Sequence, residues 1–525
     1  MKKILLLFFV FTSLRICAQN YLDRITDEYT IQYLDSGRVF YKMKEDTVHH
    51  SSRLKILFAG DLMIHQPMLA AAYDPFSHEY NFHPLFRFVN PIVHDADLAV
   101  LNLETTFGGK PYGDFPDMSA PDTLAAAIRR AGFDFVMTAN NRAGDTDKKG
   151  LDRTIDILDQ QGLMHTGTFK DSLWRDQTYP ALVEMNGFKV ALLNYSYGMD
   201  QHEFDNAGNI NVIDTKLILS DLKDAKRLKA DITIIYLHWG YEFQRQASSR
   251  QRYFARYCIE NGADLVIGSN PLVVQPIENV FFEEGSKIKR GLVVYSLGNF
   301  ASSYRQHYTD GGIMFEIEVS RDSSNDVIID RAGYIPTWVY VEKKDDNTEY
   351  YVLPVSKIEE DSTVMPLNSS AKNKMNLFVG DTRELMTRND IIKEISLDSL
   401  SFANVRQHLL KLPYIDWYSD TVSVDENDFQ DSLLMNDNIR FRIQIFASKK
   451  YFDLYDERSE YLKSVSIEQT IDGIYRYVIG DFESYDEANA ICKSIRQSLY
   501  KDAFVCAYRD DQRIDLDKAL LLFKP

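Results

Sequence analysis

Asp61 and His65, Asn102 and Glu104, Asn140 and Asn141, and His238 each end or closely follow a short apolar run, and Glu242 lies just beyond the last. Carboxylates, imidazoles and amide oxygens are the ligands that suit a divalent metal such as zinc, manganese or magnesium. Gathered around one ion, they would lower the pKa of bound water and clamp a phosphoryl oxygen. Each residue also has a plainer reading. Asp61 could cap a turn, His65 could be a satisfied core histidine, and Glu104 could be an ordinary capping carboxylate. Asn140-Asn141 is a pair that tolerates left-handed backbone in a loop. His238, between an apolar strand and Trp239-Gly240, is the hardest to explain as packing.

Strands must carry these groups. Leu54 to Ala59, Leu98 to Leu103, Phe133 to Thr138, Val190 to Leu193, Ile232 to Leu237, Leu265 to Ile267 and Leu292 to Ser296 read as buried strands. Helical patterns lie between several of them, at Thr123 to Ala131, Leu151 to Gln161 and Ser248 to Asn261. The alternation predicts an α/β layered sheet. Groups at the carboxyl ends of such strands converge on one crevice. Gly312 to Val319, Val327 to Ile335 and Trp338 to Glu342 read as closing strands of the same domain.

The chain has 525 residues and a formal net charge of −18. That balance supplies no basic face for nucleic acid, so nucleic acid is not expected as a partner. Lys2-Lys3, the apolar run Ile4 to Leu14 and the small Ala18 predict a signal peptide over 1–18, cleaved before Gln19. The protein is then expected in the periplasm or cell envelope. Cys17 follows the large Ile16 and charged Arg15, which argues against lipidation there. No other segment approaches the roughly 20 apolar residues of a spanning helix. Cys258, Cys492 and Cys506 have no zinc-site spacing and read as small buried hydrophobes, although a Cys492–Cys506 pair stays open. Residues 19–53 read as a lead-in, 54–355 as the large domain and 356–437 as an acidic, partly helical connector. A small α/β unit is expected over 438–510 and a tail over 511–525. In the small unit, strands are expected at Arg440 to Phe446, Tyr475 to Ile479 and Ala503 to Tyr508. Helices are expected at Lys450 to Val465 and Asp486 to Leu499, with a turn at Gly480-Asp481-Phe482.

Seven segments occur in an order that resembles the CapA family of capsule biosynthesis. They are FAGDLMIH from Phe58, DLAVLNLETTFGG from Asp97, ANNRAGDTDKKGLDRTIDIL from Ala139, HTGTF from His165, LHWGYEFQ from Leu237, GADLVIGSNPLVVQPIE from Gly262 and YSLGNF from Tyr295. The resemblance implies a calcineurin-like metallophosphoesterase fold, two sheets flanked by helices in four layers, and a metal-centred site. Asp61, His65, Asn102, Asn140, Asn141 and His238 are the implied ligands. His238, Glu104 and Arg142 are the implied catalytic groups. Three imidazoles that the family carries are replaced here by Arg142, Asn270 and Leu272. Leu272 cannot ligate a metal, and Arg142 brings a fixed charge. Metal affinity and water activation are expected to be weakened. The chain is therefore either a metallophosphoesterase-like hydrolase or transferase, or a scaffold whose centre has decayed.

FRIQIFASKKYFD from Phe441 and the stretch from Gly473 to Tyr508 resemble a SPOR domain, a small ferredoxin-like fold. The resemblance implies binding to septal peptidoglycan glycan strands. Gln444, Phe446, Tyr475, Tyr477 and Phe482 are candidate contacts, because aromatics stack on sugars and amides bond hydroxyls. Strand alternation puts Gln444 with Phe446 on one face, and pairs Tyr475 with Tyr477 likewise. The joined expectation is an exported protein of poly-γ-glutamate-type capsule biosynthesis, held to peptidoglycan by its SPOR unit. Its other partner would be an envelope polymer or the machinery that makes it.

Overall fold

The computed structural model describes residues 29–33, 39–43, 53–199, 209–284, 287–323, 325–344, 347–387, 392–398, 400, 439–448, 465–469, 475–482, 484–498, 503–509 and 512–514. The expected signal peptide and the helix expected at Lys450 to Val465 lie outside these residues, except that Val465 begins a strand. The chain forms two compact units, divided between Pro413 and Tyr414.

Two sheets make the first unit. Sheet one runs in the order Asn347–Pro354, Val327–Lys344, Gly311–Arg321, Arg53–Leu62, Leu98–Leu103, Phe135–Met137 and Met164–Thr166. Sheet two runs Tyr29–Tyr33, Val39–Met43, Ala181–Met185, Phe188–Ser196, Ile232–His238, Leu265–Ser269, Lys287–Val294 and Ile277–Glu284. In each, four neighbouring strands are parallel. Their sequences are almost continuously apolar because both faces are covered. Leu54, Ile56 and Phe58 point between the sheets, where they meet Val190, Leu192, Ile234 and Ile267. Leu57 and Ala59 point outward to a helical layer that includes Leu124 and Ile128 of Thr123–Arg130. Beyond sheet two, Ala191, Leu193 and Ile235 meet Ile218 and Leu222 of Thr215–Arg227 and Cys258 of Ser249–Glu260. The result is the expected four-layer sandwich.

Buried polar groups tie the two sheets together beneath their carboxyl ends. Asn194, in sheet two, accepts from the Ala139 amide with Oδ1 at 2.7 Å; Ala139 follows the sheet-one strand Phe135–Met137. Its Nδ2 donates to Tyr236 O at 3.2 Å and Ala139 O at 3.4 Å. The Tyr236 hydroxyl donates across the sandwich to Ala59 O at 3.2 Å. Gly60 lets the Asn299–Ala301 strand approach: a Cβ there would stand 2.0 Å from Gly298 O.

The domain limits differ from the expected ones at both ends. Part of the lead-in is sheet, since Val39–Met43 pairs in parallel with Ala181–Met185. The stretch assigned to a connector from 356 is folded onto sheet one as far as Leu400. Met375, Phe378 and Val379 of the helix Ser369–Met386 join the inter-sheet core, and Leu400 packs against the outer one. Its polar composition hid a single buried stripe. The closing strands also merge, as Val327–Lys344 is continuous.

The second unit is a five-stranded antiparallel sheet in the order Val465–Gln469, Tyr475–Phe482, Ile439–Ser448, Phe504–Arg509 and Gln512–Ile514. Helix Tyr485–Ser498 covers one face through Ala488, Cys492 and Ile495. Gly480-Asp481-Phe482 continues a strand instead of turning, with Gly480 at φ +76° and Phe482 paired to Phe441. Cys492 lies in the helix-covered core and Cys506 in a separate cluster with Val478 and Tyr508. Both are free thiols, as is Cys258.

Candidate metal centre

Eight parallel strands from two sheets end at one place. Asp61 lies near the end of Arg53–Leu62, in register with Asn102 after a bulge. Glu104 follows Leu98–Leu103, and Asn140-Asn141 follow Phe135–Met137. Sheet two brings His238, in register with Ser196 and Ser269. Asp61, Glu104 and His238 are buried, and each offers a ligand atom within 4.8 Å of the others.

The surrounding hydrogen bonds aim these atoms. Asn102 Nδ2 donates to Asp61 Oδ1 at 2.7 Å, and the Asn270 amide donates to Oδ2 at 3.1 Å. His238 Nδ1 is 2.8 Å from Ser269 Oγ, and Nε2 is 2.8 Å from Asn141 Oδ1 and 3.9 Å from Glu104 Oε1. As the contacts stand, Nε2–H donates to Asn141 Oδ1 and Nδ1 accepts from Ser269 Oγ; for Nε2 to ligate an ion, the proton would move to Nδ1 and be donated to Ser269. A hydrogen bond opposite a ligating nitrogen is the usual way to fix this tautomer.

Burial, with the Arg142 charge adding to it, pulls His238 down to about 3, so the ring is a neutral ligand at ordinary pH. Burial pushes the Asp61 carboxyl up to about 7, against the two N–H bonds that favour its ionised form. Burial also lowers His65. Two buried carboxylates this close repel each other and have lost hydration, costs that a divalent cation removes. Hard oxygens plus one neutral imidazole fit manganese or zinc. The donor set therefore suits a metal.

The two shifts oppose each other in stability. In metal-free protein, Asp61 binds its proton more tightly folded than unfolded, so its contribution falls as pH rises from about 4 to about 7. His238 binds its proton less tightly folded, so its contribution rises from about 3 to 6.5. The two nearly cancel between pH 4 and 6.5. Asp61→Asn removes one of them. In chelator, its urea stability should rise relative to the parent chain by up to about 1.4 kcal/mol per pH unit across that window. Parallel urea midpoints at all pH values would contradict the raised Asp61 pKa.

The other expected site residues divide. Asn141 stands at the centre. Asn102 and Asn140, expected as ligands, serve as props: Asn140 Nδ2 donates to Leu103 O at 2.7 Å and to Asn102 Oδ1 at 3.4 Å, and Asn140 Oδ1 accepts from the Arg142 amide at 3.0 Å. Their amide oxygens are engaged within the chain. His65 lies outside the compact triad; its Nδ1 accepts from the Ser303 amide at 3.1 Å and its ring meets Tyr304 edge-on at 4.9 Å. Arg142 lies over the Phe115 ring at 4.7 Å, with Nη1 3.7 Å from Asp145 Oδ2. Leu272 joins Met63, Met118 and Tyr304 in an apolar cluster. The Asn270 side chain donates to Trp239 O and Gly240 O at 3.1 and 3.2 Å, so only its backbone serves Asp61. Ser269 and Asn194 were not anticipated. Ser269 closes a short apolar run, the same signal that marked His238, whereas Asn194 lies inside a strand and carried no signal.

Of the expected glycan contacts, Gln444 is on the face opposite Phe441, Ile443 and Ile445. Tyr477 is buried on the helix-covered side, and Gln444, on the other face, is itself buried. Phe482 packs at the edge of the same core. A register shift between Gln444 and Phe446 breaks the alternation that paired them. The side chains of Phe446 and Tyr475 lie outside the described residues.

Residues 55–304 match the family model of the bacterial capsule synthesis protein PGA_cap, and residues 439–507 match that of the SPOR domain. Capsule biosynthesis protein CapA of Bacillus anthracis is 26% identical over 261 residues, covering 48% of this chain and 60% of that protein. PGA biosynthesis protein CapA of Bacillus subtilis (strain 168) is 25% identical over 254 residues, covering 47% of this chain and 63% of that one. The chain thus spans under two thirds of the length of these relatives. Among solved structures, Haemophilus influenzae NAD nucleotidase (NadN) aligns with a TM-score of 0.35 at 12% identity, over 68% of this chain and 59% of that one. The 5'-nucleotidase precursor from Thermus thermophilus aligns at 0.33 and 13%, over 63% and 59%.

Proposed function

We propose that this chain, which carries a PGA_cap domain and a SPOR domain, is an exported cell-envelope protein that acts on an envelope polymer by metal-dependent hydrolysis or transfer. The SPOR unit holds it to peptidoglycan. One observation carries the catalytic part: Asp61, Glu104 and His238, from both sheets, meet in a buried cluster with ligand atoms within 4.8 Å. Among the described residues no helix is long and apolar enough to cross a membrane. The two CapA relatives are named for capsule and PGA biosynthesis, and that supports a role in polymer metabolism.

Asp61, Glu104 and His238 would hold the ion, with Asn141 beside them. A divalent ion there supplies Lewis acidity toward a phosphoryl or acyl oxygen and acidifies water. Ser269 Oγ would accept the Nδ1 proton when His238 ligates through Nε2. With one oxygen on the ion, Glu104 would have its other oxygen to take a proton from an attacking water, and Arg142 would supply fixed positive charge for a developing anion.

A second reading, a polymer-binding scaffold with a decayed centre, is favoured by Leu272 in its apolar cluster and by Arg142. Two measurements on the full chain separate them. Purified protein should bind about one manganese or zinc per chain and hydrolyse a generic phosphodiester when manganese is added. Retention on amidase-treated sacculi should exceed that on intact sacculi. Metal-free, inert protein would leave the scaffold; equal retention on both sacculi would remove the tether.

A further inference from the structure

Three of the nine exposed aromatic side chains among the described residues lie around the metal centre, Phe115, Tyr197 and Phe243, at 51%, 44% and 45% exposure, and a fourth, Tyr241 at 67%, lies two residues before Phe243. The first three touch a site residue or its neighbour. Phe115 carries the Arg142 guanidinium at 4.7 Å. Tyr197 stacks nearly parallel on His238, with centroids 6.0 Å apart and planes 13° apart. Phe243 meets Tyr304 edge-on at 6.4 Å, and Tyr304 in turn meets His65. The Phe243 amide also donates to Pro271 O at 2.8 Å, next to the Asn270 amide that serves Asp61. Tyr241 lies on the same short loop as Phe243.

Leaving large aromatic faces in water is unfavourable unless something covers them. A phosphate or a small acyl group needs no such platforms. A pyranose ring does, since its apolar C–H face lies on an aromatic ring while its hydroxyls reach polar groups beyond. Charge separates a neutral sugar polymer from a polyanion. The chain carries a net −18; around the mouth Glu242, Glu104 and Asp114 are set against Arg142 and Arg305. The overall negative charge disfavours a long polycarboxylate and is indifferent to a neutral glycan.

Building on the metal-centre reading above, we propose that the mouth takes a neutral glycan strand of hexopyranoses, stacked on Phe243, Tyr197 and the neighbouring Tyr241, and not a polyanionic polypeptide.

Trp174, Trp239 and Trp338 lie in the large domain, Trp417 lies beyond it, and the SPOR unit has no tryptophan. In a Trp417→Phe background, tryptophan emission of the full chain therefore reports on the large domain alone. The probe is a β-1,4-linked N-acetylglucosamine tetramer, with poly-γ-glutamate of similar length as comparator. The tetramer should give a saturable change, and poly-γ-glutamate should bind more weakly. Tyr241→Ala/Phe243→Ala should weaken tetramer binding about tenfold, as two lost aromatic platforms imply, with unchanged metal content and circular dichroism. No saturable response to the tetramer, tighter binding of poly-γ-glutamate, or unaltered affinity in the double variant would each overturn the proposal. Metal content measured on the same samples keeps the two questions apart. Stoichiometric metal without glycan binding defeats this inference and spares the metal centre; glycan binding without metal does the reverse.

Discussion

His238→Ala should lower manganese affinity by roughly 100-fold or more and abolish metal-dependent turnover while the protein stays folded. His238 is the single sheet-two member of the triad, and the oxygens facing its Nε2, Glu104 Oε1 and Asn141 Oδ1, are delivered by sheet one. Without the imidazole, two carboxylates remain on one side of an ion with no nitrogen opposite. A buried histidine leaves a cavity when truncated, so His238→Gln, which keeps most of the volume, controls for packing. Ser269→Ala should act in the same direction through ring orientation, by about 10-fold to 100-fold in metal affinity. Calorimetric titration with manganese after chelation reads all three. Undiminished affinity in His238→Ala would place the ion elsewhere or nowhere.

Asn194→Leu should cost about 2–4 kcal/mol of stability although it adds apolar bulk to a buried position. The leucine cannot accept from the Ala139 amide or donate to Tyr236 O, and both groups stay buried without those partners. Gly167 packs closely on the same amide: a Cβ there would come within 2.2 Å of Asn194 Oδ1, so the larger methyl groups of leucine meet a tight wall. Ala139 immediately precedes Asn140 and Asn141. The loss should therefore reach the site and weaken manganese binding as well. Urea midpoints and the same calorimetric titration test it. A midpoint change worth less than about 1 kcal/mol would mean that Asn194 does not join the sheets energetically.

Much of the large fold was legible because parallel strands covered on both faces read as short, nearly unbroken apolar runs. Arg53–Leu62, Leu98–Leu103 and Ile232–His238 announce themselves this way, and their ends mark Asp61, Glu104 and His238. Tyr29–Tyr33, an edge strand, and Val39–Met43 beside it did not, because both keep polar residues and borrow order from a neighbour. Ser369–Met386 was missed for a similar reason: its mean character is polar, and Met375, Phe378 and Val379 form only a narrow stripe. Ligand type was visible in the sequence, but division of labour was not. Asn102 and Asn140 look like ligands by composition, and their donor role shows once distances are known. In the SPOR unit, regular alternation predicted shared faces for Gln444 and Phe446, but register shifts in that strand are invisible to a period-two pattern.

The triad is split between sheets, with Asp61 and Glu104 on one and His238 on the other. Neither half of the sandwich can capture an ion by itself. Loading is then a late event in the life of each molecule, possible only once the halves have docked. An ion so held acts as a rivet: its affinity adds to the work of prying the layers apart, and scarcity of the metal would surface first as faster proteolysis instead of slower chemistry.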